Sequence, residues 1–234
     1  MRILAFESSA KAASVALLTD GALTAEMFQN CGLTHSVTLL SMAEDLLRQT
    51  GLKQDNMDAY AVACGPGSFT GVRIGISAVK GLGWASEKPC IGVSTLEAMA
   101  QLHIAADGVI CPVMDARRSQ VYHAAFCVQN GELVCLRPDC AISLDELAEE
   151  LRAFSGKKIL VGDGALLCYN ALEAKIDKLS LAPEHLRQQR ASGVALAAWQ
   201  KILAGESGAA TALTPNYLRL SQAERERMER NTRE

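Results

Sequence analysis

The order of the apolar segments is the feature that most constrains the fold. Three short β-like runs come first, at residues 2–7, 14–19 and 22–28, and Asp20-Gly21 is a strong hairpin signal between the second and the third. Helical and β-like segments then alternate, and after about Asp107 the same scheme begins again. This order predicts an α/β protein of two related lobes, each with a mixed sheet opened by a β-hairpin.

Further segments complete this order. We expect helices at 34–49, 68–86, 144–154 and 193–203 and one that begins at 94 or 95, and strands at 59–64, 90–93, 109–114, 120–127, 132–136 and 158–161. Ser143 as N-cap and Glu146 three residues later form a capping box at the start of the fourth helix. The charged tail from Ser221 is typical of a solvated helix, with Glu226 and Arg230 one turn apart.

We predict a boundary between the two lobes near residue 105. Residues 1–105 form the N-terminal lobe, which contains the first two helices, and residues 106–234 form the C-terminal lobe. The final helix of the C-terminal lobe is free to pack back on the N-terminal lobe. A chain of 234 residues is long enough to give two such lobes a substantial core.

Composition and charge narrow the kinds of partner. Hydrophobic residues make up 49% of the chain and charged residues 21%, which is typical of a globular protein. The formal net charge is -3, and the sequence has no basic stripe of the kind that neutralises phosphates in proteins that bind nucleic acid unaided. If RNA is a substrate, we therefore expect another component to hold it.

The N-terminal segment and the cysteines indicate a cytoplasmic protein. The apolar run within the segment MRILAFESSA is too short for the core of a signal peptide. No apolar stretch of the sequence reaches the length of a membrane helix. The eight cysteines show no C-x-x-C pair, and several fall in apolar β-like runs. We expect reduced core thiols.

A glycine-rich segment, residues 65–75, follows an apolar strand and opens a helix, where backbone N–H groups can bind an anion. It lacks the Lys of a Walker A loop, and Thr70 stands where a dinucleotide fingerprint has glycine. The residues favour a tight turn capped by Ser68 or Thr70, and phosphate binding is the alternative. The candidate nucleotide or anion loops comprise Glu7, Ser8, Gly65, Gly67, Ser68, Thr70, Gly71 and Arg73.

The first two helices carry more apolar surface than one sheet requires. On the first, Leu39, Leu40, Met42, Ala43, Leu46 and Leu47 cover an arc of roughly 160°. The second is apolar or small-sided except for a narrow polar strip. Two interpretations are open: both helices are buried within the monomer, or they form a self- or partner-binding face. The rare Trp84 favours the second interpretation. The candidate partner-binding residues are Leu39, Met42, Ala43, Leu46, Val72, Ile74, Gly75, Ala78, Val79, Leu82 and Trp84.

The sequence predicts no catalytic or metal site. The four histidines show no paired metal-ligand spacing, and the run Gly92-Val93-Ser94-Thr95-Leu96 only approaches a nucleophile elbow. Ser94 or Thr95 is better explained as a helix N-cap. We therefore expect no cofactor in the isolated chain.

Five segments together resemble the TsaB (YeaZ) family. In chain order they are ILAFESSAKAASVAL, ACGPGSFTGVRIGIS, IGVSTLEAMA, MDARRSQVYHA and PNYLR, and they span residues 3–219. The resemblance implies the two-lobed actin/sugar-kinase/heat-shock ATPase-like fold, built on the ribonuclease H-like motif, with a cleft too altered for catalysis.

The resemblance also implies partners. Members of the family form homodimers, and heterodimers with the catalytic paralogue TsaD, through the helices that match residues 34–49 and 68–86. With a third protein, the ATPase TsaE, they transfer threonylcarbamoyl to the adenosine beside the anticodon of tRNA. ATP or ADP and a divalent metal are expected only in the assembled complex. TsaD supplies the metal through paired histidines on a helix, and the matching helix here has only His35.

The sequence departs from the family pattern at two places. Many members have Asp where Glu7 stands, and Gly162-Asp163-Gly164 lies where a working ATPase holds phosphate without the neighbouring nucleotide-binding features. The resemblance implies a scaffold or activating subunit that meets tRNA only indirectly. The alternative is an autonomous small-molecule kinase or ATPase of the same fold. A peptidase, the former label of the family, would need a triad or zinc site that cannot be assembled here.

Overall fold

The first lobe is built on a five-stranded mixed sheet. The computed structural model describes residues 1–219. The strands β1 (Arg2–Glu7), β2 (Ala13–Thr19), β3 (Ala22–Gln29), β4 (Ala59–Ala63) and β5 (Cys90–Val93) lie in the order β3-β2-β1-β4-β5. The first three strands are antiparallel, whereas β4 and β5 run parallel to β1. Both faces are buried, so β1, β2 and β4 consist almost wholly of apolar residues.

Three helices belong to this part of the chain. They are α1 (His35–Thr50), α2 (Phe69–Ser86) and α3 (Thr95–Gln101), and a short 3₁₀ turn at Gln54–Asn56 follows α1. Both α1 and α2 pack on the same face of the sheet, where their buried side chains meet those of β1, β2 and β4. Ser94 caps α3 by accepting hydrogen bonds from the N–H groups of Leu96 and Glu97, as the sequence predicts.

The second lobe repeats this topology. The strands β6 (Val109–Asp115), β7 (Gln120–Gln129), β8 (Glu132–Ser143), β9 (Lys158–Val161) and β10 (Leu179–Leu181) lie in the order β8-β7-β6-β9-β10. Strands β6 to β8 are antiparallel, and β9 and β10 run parallel to β6. The helices are α4 (Leu144–Ala153), α5 (Ala165–Leu172), α6 (Glu184–Arg187) and α7 (Ala191–Leu203). The repeated order confirms the prediction of two related α/β lobes with a hairpin opening each.

The last helix of each lobe packs on the other lobe. Helix α3 contributes Leu96, Met99 and Ala100 to the core formed with β6 and β7. Helix α7 lies on the free face of the first sheet, where its small side chains meet β1, β2 and β4. Helix α7 thus follows the second sheet in the chain but buries its apolar face against the N-terminal sheet.

Other predicted elements need smaller corrections. The strand predicted at 132–136 continues to Ser143 as β8, and α5, β10 and α6 were not predicted. The capping box of Ser143 and Glu146 is present at the start of α4. The helix predicted from Ser221 lies outside the described residues. None of the helices within 1–219 is long and apolar enough to cross a bilayer, and all eight cysteines are free thiols.

Candidate functional site: a helix groove beside the interlobe cleft

A groove runs between the outer sides of α1 and α2. Its volume is about 550 Å³, and its lining comprises His35, Ser36, Leu39, Leu40, Phe69, Thr70, Arg73, Ile74, Ser77 and Ala78. The two helices lie side by side because the sheet beneath them covers one face of each. The groove lies on the sides of the two helices that the sheet does not cover. Most of the groove surface is apolar.

The predicted partner-binding residues divide into two groups. The members that pack in the core of the first lobe are Leu39, Met42, Ala43, Leu46, Val72, Gly75 and Val79. Ile74, Ala78 and Leu82 are half-buried, and Trp84 is 83% exposed. Most of the apolar arc is therefore buried within the first lobe, and a smaller part stays at the surface of the two helices.

Two exposed residues of α1 extend this surface. Val37 is 71% exposed and Leu40 is 46% exposed. Val37 was missed because it lies on the side of α1 that otherwise carries polar residues, and a single apolar residue there is a weak signal. We call Val37, Leu40, Ile74, Ala78 and Trp84 the outer helix face.

The glycine-rich segment forms a tight turn rather than an open loop. Ser68 caps α2 and accepts a hydrogen bond from the Gly71 N–H at 3.3 Å, which confirms one of the two predicted caps. A Cβ atom on Gly67 or Gly71 would overlap the carbonyl oxygen of Ser9 or Ser8. The Ser68 N–H already donates to the Ser9 carbonyl at 2.6 Å. The space that a phosphate would need beside this turn is therefore filled by the loop that follows β1.

Glu7 lies at the end of β1 and is completely buried. Its Oε1 atom accepts the Ser9 N–H at 2.6 Å, whereas Oε2 has no hydrogen-bond partner among residues 1–219. Burial raises the pKa of the Glu7 carboxyl to about 7, and the hydrogen bonds from Ser9 oppose this shift. A carboxyl enclosed in this way cannot reach a ligand in the cleft without a rearrangement of the Ser8-Ser9 loop.

The cleft between the lobes has a volume of about 620 Å³. Its lining includes Asp115 at the end of β6 and Asp163 after β9, together with Lys11, Arg117 and Arg219. Desolvation raises the pKa of the Asp163 carboxyl. The hydrogen bond that Gln189 donates to it at 3.0 Å opposes this shift. Positive and negative groups thus share one cavity.

The segment after α7 crosses this cleft and connects both lobes. The Asn216 N–H donates to the Cys64 carbonyl of the first lobe at 2.7 Å, and its side-chain amide donates to Asp139 of the second lobe at 3.3 Å. Arg219 donates to the Ala116 carbonyl at 2.5 Å. Tyr217 stacks on Phe69 of α2 with the ring centroids 4.5 Å apart.

Arg73 joins α2 to this crossing segment. Its guanidinium carbon lies 3.8 Å from the centroid of the Phe69 ring, and its Nε donates to the Tyr217 hydroxyl at 2.7 Å. Phe69 and Thr70 line both the groove and the cleft. The groove and the cleft are therefore neighbours that share one wall.

The part of the chain that the structure describes contains no group of three or more His, Cys, Asp or Glu side chains placed to hold a metal. His35, at the start of α1, has its Nε2 atom 2.8 Å from the carbonyl oxygen of Ala10. The Ser94 hydroxyl donates to Asp139 at 2.7 Å while it caps α3. Both side chains thus have structural partners.

Comparisons with known proteins agree with the fold. The profile of the family described as TsaD, tRNA N6-adenosine threonylcarbamoyltransferase, matches residues 29–227. The tRNA threonylcarbamoyladenosine biosynthesis protein TsaB of Bacillus subtilis is 33% identical over 227 residues, which are 96% of each chain.

Two solved structures show similar folds. A protein from Pseudomonas aeruginosa, described as similar to the peptidase YeaZ, has a TM-score of 0.80 at 29% identity and covers 93% of this chain and 99% of its own. Component A of the (R)-2-hydroxyglutaryl-CoA dehydratase of Acidaminococcus fermentans has a TM-score of 0.51 at 13% identity and covers 87% of this chain and 99% of its own. At this identity the two proteins share the fold alone.

Proposed function

The chain belongs to the TsaB (YeaZ) family of tRNA threonylcarbamoyladenosine biosynthesis proteins, and we propose that it acts there as the scaffold subunit that pairs with a TsaD-like catalytic paralogue. It takes the actin-like, two-lobed ATPase fold. In the proposal, the chain carries no transferase activity of its own and activates the paralogue by dimerising with it.

The outer helix face is the observation that carries this proposal. Val37, Leu40 and Trp84 are exposed apolar side chains on two adjacent helices. Ser77 and Trp84 lie two turns apart on one side of α2, so the exposed tryptophan extends the same face as the groove. Tryptophan is enriched at the centre of protein interfaces and among the residues that dominate their binding energy. A partner that covers this face would remove it from water.

The residues available for chemistry indicate where the proposed complex would hold its metal and its nucleotide. His35 is the one histidine on α1, and its Nε2 atom is next to a backbone carbonyl. We therefore assign the divalent metal, and the ATP or ADP of the reaction, to the assembled complex. In the same proposal the isolated chain forms a homodimer through the outer helix face, a TsaE-like ATPase is the third component, and the assembly works in the cytoplasm.

An autonomous kinase or ATPase is the competing function. It would bind nucleotide through three loops, at residues 7–9, 65–71 and 162–164. The first two loops pack directly on each other through Gly67 and Gly71, which leaves no open cradle between them. This packing argues against phosphate binding and in favour of the scaffold role.

Replacement of Ala78 by Arg tests the proposed interface. Ala78 is half-buried in the wall of the groove, and a long cation there would be trapped against an apolar partner surface. We expect the affinity for the TsaD-like paralogue to fall at least about 30-fold, which corresponds to the loss of a central interface residue. Titration of the labelled paralogue, followed by sedimentation velocity, measures this affinity.

Ala171→Arg is the matched control. Ala171 is an exposed alanine on α5, a helix of the second lobe. It should bind the paralogue as the unchanged chain does. If Ala78→Arg folds normally and keeps full affinity, the assignment of the interface to the outer helix face is wrong.

A further inference from the structure

We propose that the rim of the interlobe cleft is a direct contact surface for the tRNA substrate. The cleft rim consists of Lys11, Phe69, Arg73, Arg117, Arg118 and Tyr217. Its cations would meet phosphates, and its aromatic pair would stack on an unpaired base. This inference rests on the proposed function, because the tRNA is held in the assembled complex, and it replaces the expectation that tRNA is met only indirectly.

The cations of the rim are available to an external anion. Lys11, Arg73, Arg117 and Arg118 are all exposed. Within residues 1–219 none of them forms an ion pair with a carboxylate. Lys11 and Arg117 line the cleft, Arg118 follows Arg117 in the same loop, and Arg73 lines the neighbouring groove. The whole chain has a net charge of -3, so this group of cations is a local exception. Such a cluster is the electrostatic footprint that a phosphate backbone recognises.

The backbone holds two of these arginines in an unusual loop. Arg117, Arg118 and Ser119 have φ values of 61°, 55° and 57°, so three consecutive residues other than glycine adopt the left-handed conformation. Each such residue costs roughly 1–2 kcal/mol. The loop is fixed because Asp115 accepts the Arg117 N–H at 2.7 Å and Arg219 donates to the Ala116 carbonyl. Strain that the surroundings maintain is typical of functional sites.

The aromatic pair provides a rigid stacking surface. The Phe69 and Tyr217 rings are inclined by 20°, Arg73 holds the Tyr217 hydroxyl, and Tyr217 is 41% exposed. Proteins that bind single-stranded RNA stack unpaired bases on such rings and place cations along the backbone. The carboxylates of Asp115 and Asp163, which line the cleft, can accept hydrogen bonds from the 2′-hydroxyl groups of ribose.

The position of the rim fits an RNA that the partner holds. Phe69 and Thr70 line both the cleft and the groove that faces the partner in the proposed complex. An RNA bound at the partner would therefore reach the rim without crossing the protein. The surface is a second point of attachment beside the proposed dimer interface.

Charge reversal in the assembled complex tests the inference. The probe is a fluorescein-labelled, unmodified tRNA transcript, titrated with the preassembled complex at several salt concentrations. For Arg117→Glu/Arg118→Glu we expect about tenfold weaker binding or more at physiological salt, and a salt-dependence slope smaller by about two. Tyr217→Ala should weaken binding about fivefold or more through lost stacking. The control Arg152→Glu/Lys157→Glu makes the same charge change on exposed residues of the second lobe and should bind tRNA normally.

Assembly of the complex is recorded on the same samples without RNA, so the two proposals fail in different ways. Reduced tRNA binding by an intact complex supports the inference. Unchanged tRNA binding by the arginine variant overturns it and leaves the scaffold role standing. Loss of assembly in that variant, with the control intact, would mark the rim as a protein contact and also overturns it. Displacement of the tRNA by excess ATP would assign the cleft to a free nucleotide instead. An unchanged chain that never assembles with the paralogue contradicts both proposals.

Discussion

At the scale of single residues, Glu7 is a carboxyl group that the fold removes from water. It is completely buried, and one carboxyl oxygen has no partner among the described residues. Burial disfavours the charged form, so the folded protein retains the Glu7 proton to a higher pH than the unfolded chain does. The sequence places a carboxylate at the end of the first strand, but its enclosure depends on loops distant in sequence.

This burial predicts a pH-dependent loss of stability that Glu7→Gln should abolish. The pKa of Glu7 rises from 4.5 to about 7 on folding, so its contribution is fully present below 4.5 and is lost as the pH rises through about 7. Relative to Glu7→Gln, the unchanged protein should lose up to about 3 kcal/mol of unfolding free energy across that window. Chemical denaturation of both proteins between pH 4.5 and 8 measures the difference. Parallel pH profiles for the two proteins would contradict the buried, proton-retaining Glu7.

At the scale of elements, helix α2 is positioned by glycines that face the loop after β1. Gly71 and Gly75 bring the helix so close that a Cβ atom would meet Ser8. Gly81 lies on the same helix with no atom within 4 Å of the position of a Cβ. One helix thus contains a glycine required by packing and one that is not required.

Alanine substitution at these two glycines should have opposite effects. Gly71→Ala should destabilise the protein by about 3 kcal/mol or more, because the added methyl group overlaps a backbone carbonyl that cannot easily move. Gly81→Ala should stabilise it by about 1 kcal/mol through the higher helix propensity of alanine. Urea unfolding of the two variants measures both changes. Equal effects of the same sign would show that α2 does not pack closely on the Ser8 loop.

Most elements were predictable from the sequence, and the division of helix faces was not. Periodicity finds the apolar positions of α1 and α2, but it does not show which of them the sheet covers. Met42 and Val79 therefore entered the predicted partner surface although they are core residues, while Val37 was left out. Strand β8 was cut short because Pro138 and exposed polar residues interrupt its alternation, although its pairing with β7 continues to Ser143.

At the scale of the whole molecule, the exchange of helices between lobes was the main feature hidden from the sequence. Helix α7 follows the second sheet in the chain but packs on the first, and a Cβ on Gly193 would overlap the Ala98 carbonyl of α3. The small residues of α7 indicate close packing, but the sequence does not show which element they pack against. The exchange and the crossing segment at 216–219 tie the two lobes together, and this suits a scaffold better than an enzyme that opens and closes.

The most direct test of the scaffold role is a threonylcarbamoyl-transfer assay with and without this chain. The TsaD-like paralogue and the TsaE-like ATPase are purified and supplied with threonylcarbamoyl-adenylate and unmodified tRNA. Transfer should fall to background when this chain is omitted and return when it is added, and the chain alone should neither transfer the group nor turn over nucleotide. Full transfer without this chain, or magnesium-dependent nucleotide turnover by this chain alone, would contradict the account.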